Sequence, residues 1–141
     1  MEIKKGKTIL ELNVGDFAEC IKRIEEKDVL MFSEVSGDKN PVHLDEEYAS
    51  TTRFKHRIAH GHLVSSLFSA LLGTELPGQG SIYLAQDIHY LKPVYLNDEI
   101  RAVVKVVECD VTRNRVKLET NAYNQNNEIV ISGMAEIMPP R

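Results

Sequence analysis

Residues 62–76, HLVSSLFSALLGTEL, are apolar almost all round a helical projection, and the apolar run closes at Gly73. A helix of that composition needs cover on most of its circumference. The stretch therefore predicts a buried central helix over about residues 62–73. Upstream, FAECIKRI (17–24) partly alternates apolar and polar residues, as a strand with one buried face does. Downstream of LPGQG, β-rich segments run over 81–95, 99–112 and 115–125, and EIVISGMAEIM (128–138) follows as the last strand. Asn97-Asp98 and Asn126-Asn127 are the intervening turn candidates. The order predicts a strand, then helices, then a four-strand antiparallel meander. This is an α+β plan, with an antiparallel sheet wrapped around a central apolar helix.

Between the first strand and the central helix the pattern changes. Val29, Leu30, Phe32 and Val35 form a helical stripe over about 26–36, and Gly37 stands where a helix stops. GDKNP (37–41) then strings turn formers together, and Pro41 disfavours a helical Asn40, so a tight, shaped loop is expected. Asp45 can cap a short helix through Tyr48 and Ala49.

At 141 residues the chain predicts one domain, 1–141. Seventeen Lys and Arg against twenty-one Asp and Glu leave a net charge of −4, so nucleic acid is not an expected partner. The 43% apolar and 27% charged content excludes a disordered chain. Charged residues interrupt every apolar run short of the ~18–20 residues of a membrane span. The first twenty residues lack a secretory pattern, so a cytoplasmic protein without membrane contact is the expectation. Cys20 and Cys109 have no CxxC spacing and read as reduced, semi-buried thiols.

Asp38 and His43 flank the turn of the GDKNP loop. A carboxylate and an imidazole facing one point can hold and polarise a water, the usual general acid/base arrangement. Taken alone, an Asp in such a loop is more often a plain turn residue. His60-Gly61 opens the apolar helix, and a Gly61 N–H directed at a ligand would stabilise negative charge growing on a carbonyl oxygen. By itself, Gly61 reads more readily as a helix entry that merely needs a small residue. His56, His60 and His62 invite a metal site. They straddle a loop-to-helix junction that points them apart, and no helical HExxH accompanies them, so no metal is expected. RFKHR (53–57) is a basic stretch whose best use would be the phosphates of a bound small molecule.

The stretch FSEVSGDKNPVHLDEEYA (32–49) resembles the signature of the MaoC-like, R-specific enoyl-CoA hydratases: an aromatic, an aliphatic, a small residue, then G-D-x-N-P-aliphatic-H and a later small residue. Phe32, Val35, Ser36, Gly37, Asp38, Asn40, Pro41, Val42, His43 and Ala49 fit it. Residues 58–100 are similar to the segment carrying that family's central helix and following strand. The resemblance implies a hot-dog fold, a homodimer with active sites near the subunit interface, an acyl-CoA thioester substrate, and no cofactor. It makes Asp38 and His43 the catalytic pair and Gly61 the donor to the thioester carbonyl. It further implies that Asn40 shapes the loop and that Ser69 approaches the acyl site from the helix. His62 departs from the pattern, which calls for an apolar residue after His-Gly.

The implied reaction is (R)-specific hydration of a trans-2-enoyl-CoA to an (R)-3-hydroxyacyl-CoA, with Asp38 as base and His43 as proton donor to C2. The division between the two stays open, because coupled groups share a titration. Two alternatives remain: a hot-dog acyl-CoA thioesterase, in which water attacks the carbonyl, and a non-catalytic acyl-thioester binding domain.

Overall fold

The computed structural model describes residues 1–141. Strand β1 (Phe17–Arg23) leads into helix α1 (Glu26–Ser36), then the short helices α2 (Pro41–Leu44) and α3 (Glu46–Ser50), and the long helix α4 (Gly61–Thr74). Strands β2 (Ile82–Tyr90), β3 (Glu99–Asp110), β4 (Arg115–Tyr123) and β5 (Ile129–Met138) complete the chain. All five strands join one antiparallel sheet in the order β1-β3-β4-β5-β2.

That order corrects the expected four-strand meander. Only β3, β4 and β5 form one, while β2 lies at the far edge beside β5, with Tyr90 opposite Ile131. The physical cause is the loop after β2. Pro93 has no N–H to give a ladder, so the strand stops at Tyr90 rather than running to 95. Residues 91–98 then cross the end of the sheet to reach β3, three strand positions away, a span of roughly 14 Å. On the way the Ala59 N–H donates to the Val94 carbonyl and Ile58 bridges Tyr95, which ties the crossing to the segment entering α4. The turn residues Asn97, Asn114 and Asn127 all adopt positive φ, which asparagine tolerates better than most side chains.

The sheet curls round α4. Strand β3 alternates from Ile100 to Val106, burying Ile100, Ala102, Val104 and Val106 on the helix side, and a bulge before Glu108 ends the pattern. Helix α4 answers with Val64, Phe68, Leu71 and Leu72 at the i, i+4, i+7 and i+8 positions of one face, and one contiguous apolar core results. The helix is not enclosed on all sides, however. Ser66, Ser69, Ala70 and Gly73 are exposed, because a single five-stranded sheet covers only one side of a cylinder. Strand β2 is equally open, with Ile82, Tyr83, Leu84 and Tyr90 each at least 40% exposed at an unpaired edge. No helix is long and apolar enough to cross a membrane.

Candidate active site

The loop after α1 is built by a relay of short side chains. Gly37 ends α1 in the left-handed region at φ 80°, where a glycine costs least, and its N–H donates to the Ser33 carbonyl. The Ser36 hydroxyl then accepts the Asp38 N–H, Asp38 Oδ1 accepts the Asn40 N–H at 3.1 Å, and Asn40 Oδ1 accepts the Val42 N–H at 3.2 Å. Asn40 is thus the N-cap of α2, with Pro41 preset at its first position. One carboxylate oxygen of Asp38 is spent on shaping the loop, which leaves Oδ2 without a hydrogen-bond partner in the chain.

His43 rides on α2 and is buried at its ring. Its Nδ1 lies 2.7 Å from the Ile58 carbonyl oxygen. A carbonyl only accepts, so Nδ1 carries the proton and the neutral ring keeps its lone pair on Nε2. Burial pushes the His43 imidazole below its ordinary pKa; nearby His60 adds to that, against the Ile58 hydrogen bond and the Asp38 charge. Arg57 fixes the position from behind, with Nε donating to the His43 carbonyl at 2.8 Å and Nη1 to Glu26 at 2.9 Å. In the basic stretch, Arg57 is therefore a brace. Arg53 is exposed, lies over the Phe54 ring and lines the cavity described below.

His60, read from the sequence only as a helix entry and a member of the rejected metal pattern, sits beside the Asp38/His43 pair. It is buried, its ring stacks on His43 with centroids 3.9 Å apart, and Nε2 donates to the Asp38 carbonyl at 3.1 Å with Ser33 Oγ at 3.2 Å. Its Nδ1 is buried with no hydrogen-bond partner in the chain, an arrangement costing about 1–3 kcal/mol. Asp38, His43 and His60 each bring a carboxylate oxygen or ring nitrogen within 4.8 Å of one another. The available signal was its place: it occupies the N-cap of α4, where Ser, Thr, Asp or Asn is the ordinary choice.

The three histidines of the metal pattern are kept apart. His56 pairs with Glu46, His60 turns inward to Asp38, and His62 meets Tyr90. The cluster that does form is poorly shaped for an ion. His43 and His60 are 28° from parallel, and imidazole lone pairs lie in the ring plane, so the two do not converge on a point ~2.0–2.1 Å from each.

A cavity of about 350 Å³ opens beside His43. Gly61, His62 and Tyr90 form one side, and Val64 and Ile131 contribute apolar floor. Gly61 is the first residue of α4 and no side chain caps that helix, so its N–H belongs to the first turn, whose donors have no intrahelical partner. Ser69 does not line this cavity; it lies two turns along α4 on the exposed face.

The family model of the MaoC like domain matches residues 12–128. The chain belongs to the MaoC-like family. Among its relatives in that family, an (R)-specific enoyl-CoA hydratase of Aeromonas caviae is 40% identical over 92% of this chain and 96% of its own. A mitochondrial 3-hydroxyacyl-[acyl-carrier-protein] dehydratase of Arabidopsis thaliana is 36% identical over 96% of this chain and 81% of its own. The unliganded R-hydratase PhaJ1 of Pseudomonas aeruginosa superposes with a TM-score of 0.91 at 46% identity, covering 96% of this chain and 87% of that one. The MaoC-like fold expected from the sequence, a hot-dog sheet around a helix, is the fold found.

Proposed function

We propose that this chain is an (R)-specific enoyl-CoA hydratase, adding water reversibly to the double bond of a trans-2-enoyl thioester. The observation that carries this reading is that His43 and Gly61 line one largely apolar cavity, while Asp38, outside its lining, brings a carboxylate oxygen within 4.8 Å of a His43 ring nitrogen. C3 of an enoyl thioester is electrophilic only as far as charge can move to the carbonyl oxygen, and the Gly61 N–H at the positive end of α4 receives that charge. Water sits between Asp38 Oδ2 and His43 Nε2. Because His43 rests neutral with its lone pair on Nε2, it first accepts: the water proton moves to Nε2 as the oxygen bonds to C3, and the carbanion charge passes to the thioester oxygen. The imidazolium, steadied by the Asp38 carboxylate, then returns that proton to C2 on the same face. His43 is thus acceptor first and donor second, in place of the expected assignment of Asp38 as base, and Asp38 steadies the imidazolium. No net proton is gained or lost, and dehydration retraces the path.

Asn40 holds the loop and Arg53 stands ready for the phosphates of the coenzyme. The functional unit is a homodimer, supported by the unpaired β2 edge and the open face of α4, which a second copy would cover together. Ser69, on that open face, then belongs to an acyl site completed at the interface. Incubation with crotonyl-CoA tests the activity: the enoyl absorbance falls while no free thiol appears. Thiol release as the main event would make the protein a thioesterase, and binding without turnover would make it a carrier domain.

A further inference from the structure

Tyr90 and His62 form a polar pair in the wall of the cavity that the hydration chemistry above leaves unused. Tyr90 is the last residue of β2, and its ring lies against the α-carbon of Gly61 so closely that a β-carbon there would sit 2.5 Å from Cε1. Its hydroxyl is 2.9 Å from Nδ1 of His62, the residue following Gly61 in the first turn of α4. The two rings run nearly parallel, 22° apart. The Tyr90 ring is therefore held at two points by the same helical turn that presents the Gly61 N–H.

We propose that Tyr90, pinned by His62, is a positioning residue for the Gly61 donor: its ring is the wall that keeps the thioester carbonyl in line with the Gly61 N–H. This rests on the hydratase reading. An oxyanion donor works only at about 2.7–3.1 Å, and a hydrogen bond weakens steeply below about 120°. A fixed wall beside the donor denies the carbonyl the sideways positions. Within the chain the Tyr90 ring is fixed at its face by Gly61 and at its hydroxyl by His62, and the hydroxyl bond is the contact that sets its two side-chain torsions. The ring also excludes water from one flank of the donor, where a lower dielectric strengthens the bond. The departure at position 62 acquires a purpose, since an apolar side chain there could not hold the hydroxyl.

The test uses Tyr90→Phe, His62→Leu and the double variant, with kcat and KM for crotonyl-CoA and the carbonyl stretch of bound butyryl-CoA labelled at the carbonyl carbon. Butyryl-CoA has no double bond to hydrate, so its carbonyl frequency reports polarisation alone. Removing a whole oxyanion donor costs about 10²–10³ in kcat, and misaligning one costs less, so each single variant should lose about tenfold in kcat with KM within about twofold. The carbonyl downshift on binding should shrink in each. The double variant should be no worse than the worse single, because one bond is broken in all three. Wild-type kcat and carbonyl shift in both folded singles, with only Tm lowered, would make the pair structural and overturn the proposal. Losses that multiply in the double variant would show that the two residues do not act as a pair, and would equally overturn it. A wild-type protein that hydrates no enoyl-CoA would instead bring down the hydratase reading and this proposal with it.

Discussion

Gly61→Ala adds one carbon and keeps the N–H assigned to the thioester carbonyl. The backbone of Gly61 is not left-handed, so alanine meets no conformational strain there and the whole effect is steric. The new β-carbon would lie 2.5 Å from Tyr90 Cε1, 2.7 Å from Cδ1 and 3.0 Å from Cζ, against an ordinary carbon contact of about 3.5–4.0 Å. The ring must retreat by about 1 Å, and it cannot do so while its hydroxyl stays on His62. Overpacking of this kind costs about 1–3 kcal/mol and the lost hydrogen bond about 1 kcal/mol more, offset by up to about 1 kcal/mol from the better helix propensity of alanine. The net of about 1–3 kcal/mol corresponds to a Tm lower by about 4–10 °C in a chain of this size. Thermal unfolding followed by circular dichroism, at one protein concentration for all variants, reads it. Tyr90→Ala in the Gly61→Ala background removes the obstruction, so the two changes should couple by at least about 1 kcal/mol. A Gly61→Ala protein that melts within about 1 °C of wild type, or a strictly additive double variant, would refute the packing argument.

Asp38→Asn and His43→Gln should each leave a folded protein with kcat reduced about 10²–10⁴-fold, and the double variant should lose less than the product; steady-state hydration of crotonyl-CoA measures this, and near-normal turnover by either would mean the wrong residues. Because the folded state lowers the His43 pKa, the unfolded chain binds more protons below about pH 6.5, so this contribution to stability is present above that pH and is lost as pH falls through the folded value. Tm against pH should therefore drop on the acid side, less steeply in His43→Gln, and equal slopes would contradict the assignment. Light scattering should return twice the chain mass of 15.9 kDa, and an active monomer would contradict the homodimer.

The helices and their ends were legible in the sequence because their signals are local. The helix expected over 26–36 is α1, Gly37 closes it, and Asp45 caps α3 by accepting the Tyr48 N–H. Helix α4 begins one residue before the expected start and ends one after the expected end. Strand order was not legible, because nothing local to residues 81–95 says that β2 pairs with β5 across the sheet rather than with β3, its neighbour in sequence. Part of the site was readable as a loop motif, with Asp38, Asn40 and His43 held by bonds that span two or three residues. His60 and Tyr90 were not, since each acquires its role from a partner far along the chain: His60 from Ser33, Asp38 and His43, and Tyr90 from Gly61 and His62.

The central claim is that Asp38 and His43 deliver water to one face of an enoyl thioester whose carbonyl Gly61 holds. The most direct measurement is the configuration of the product formed from crotonyl-CoA, read by coupling it in turn to R-specific and S-specific 3-hydroxyacyl-CoA dehydrogenases. The account predicts oxidation by the R-specific enzyme alone, with the thioester intact; a product consumed by the S-specific enzyme, or a mixture of both, would contradict it.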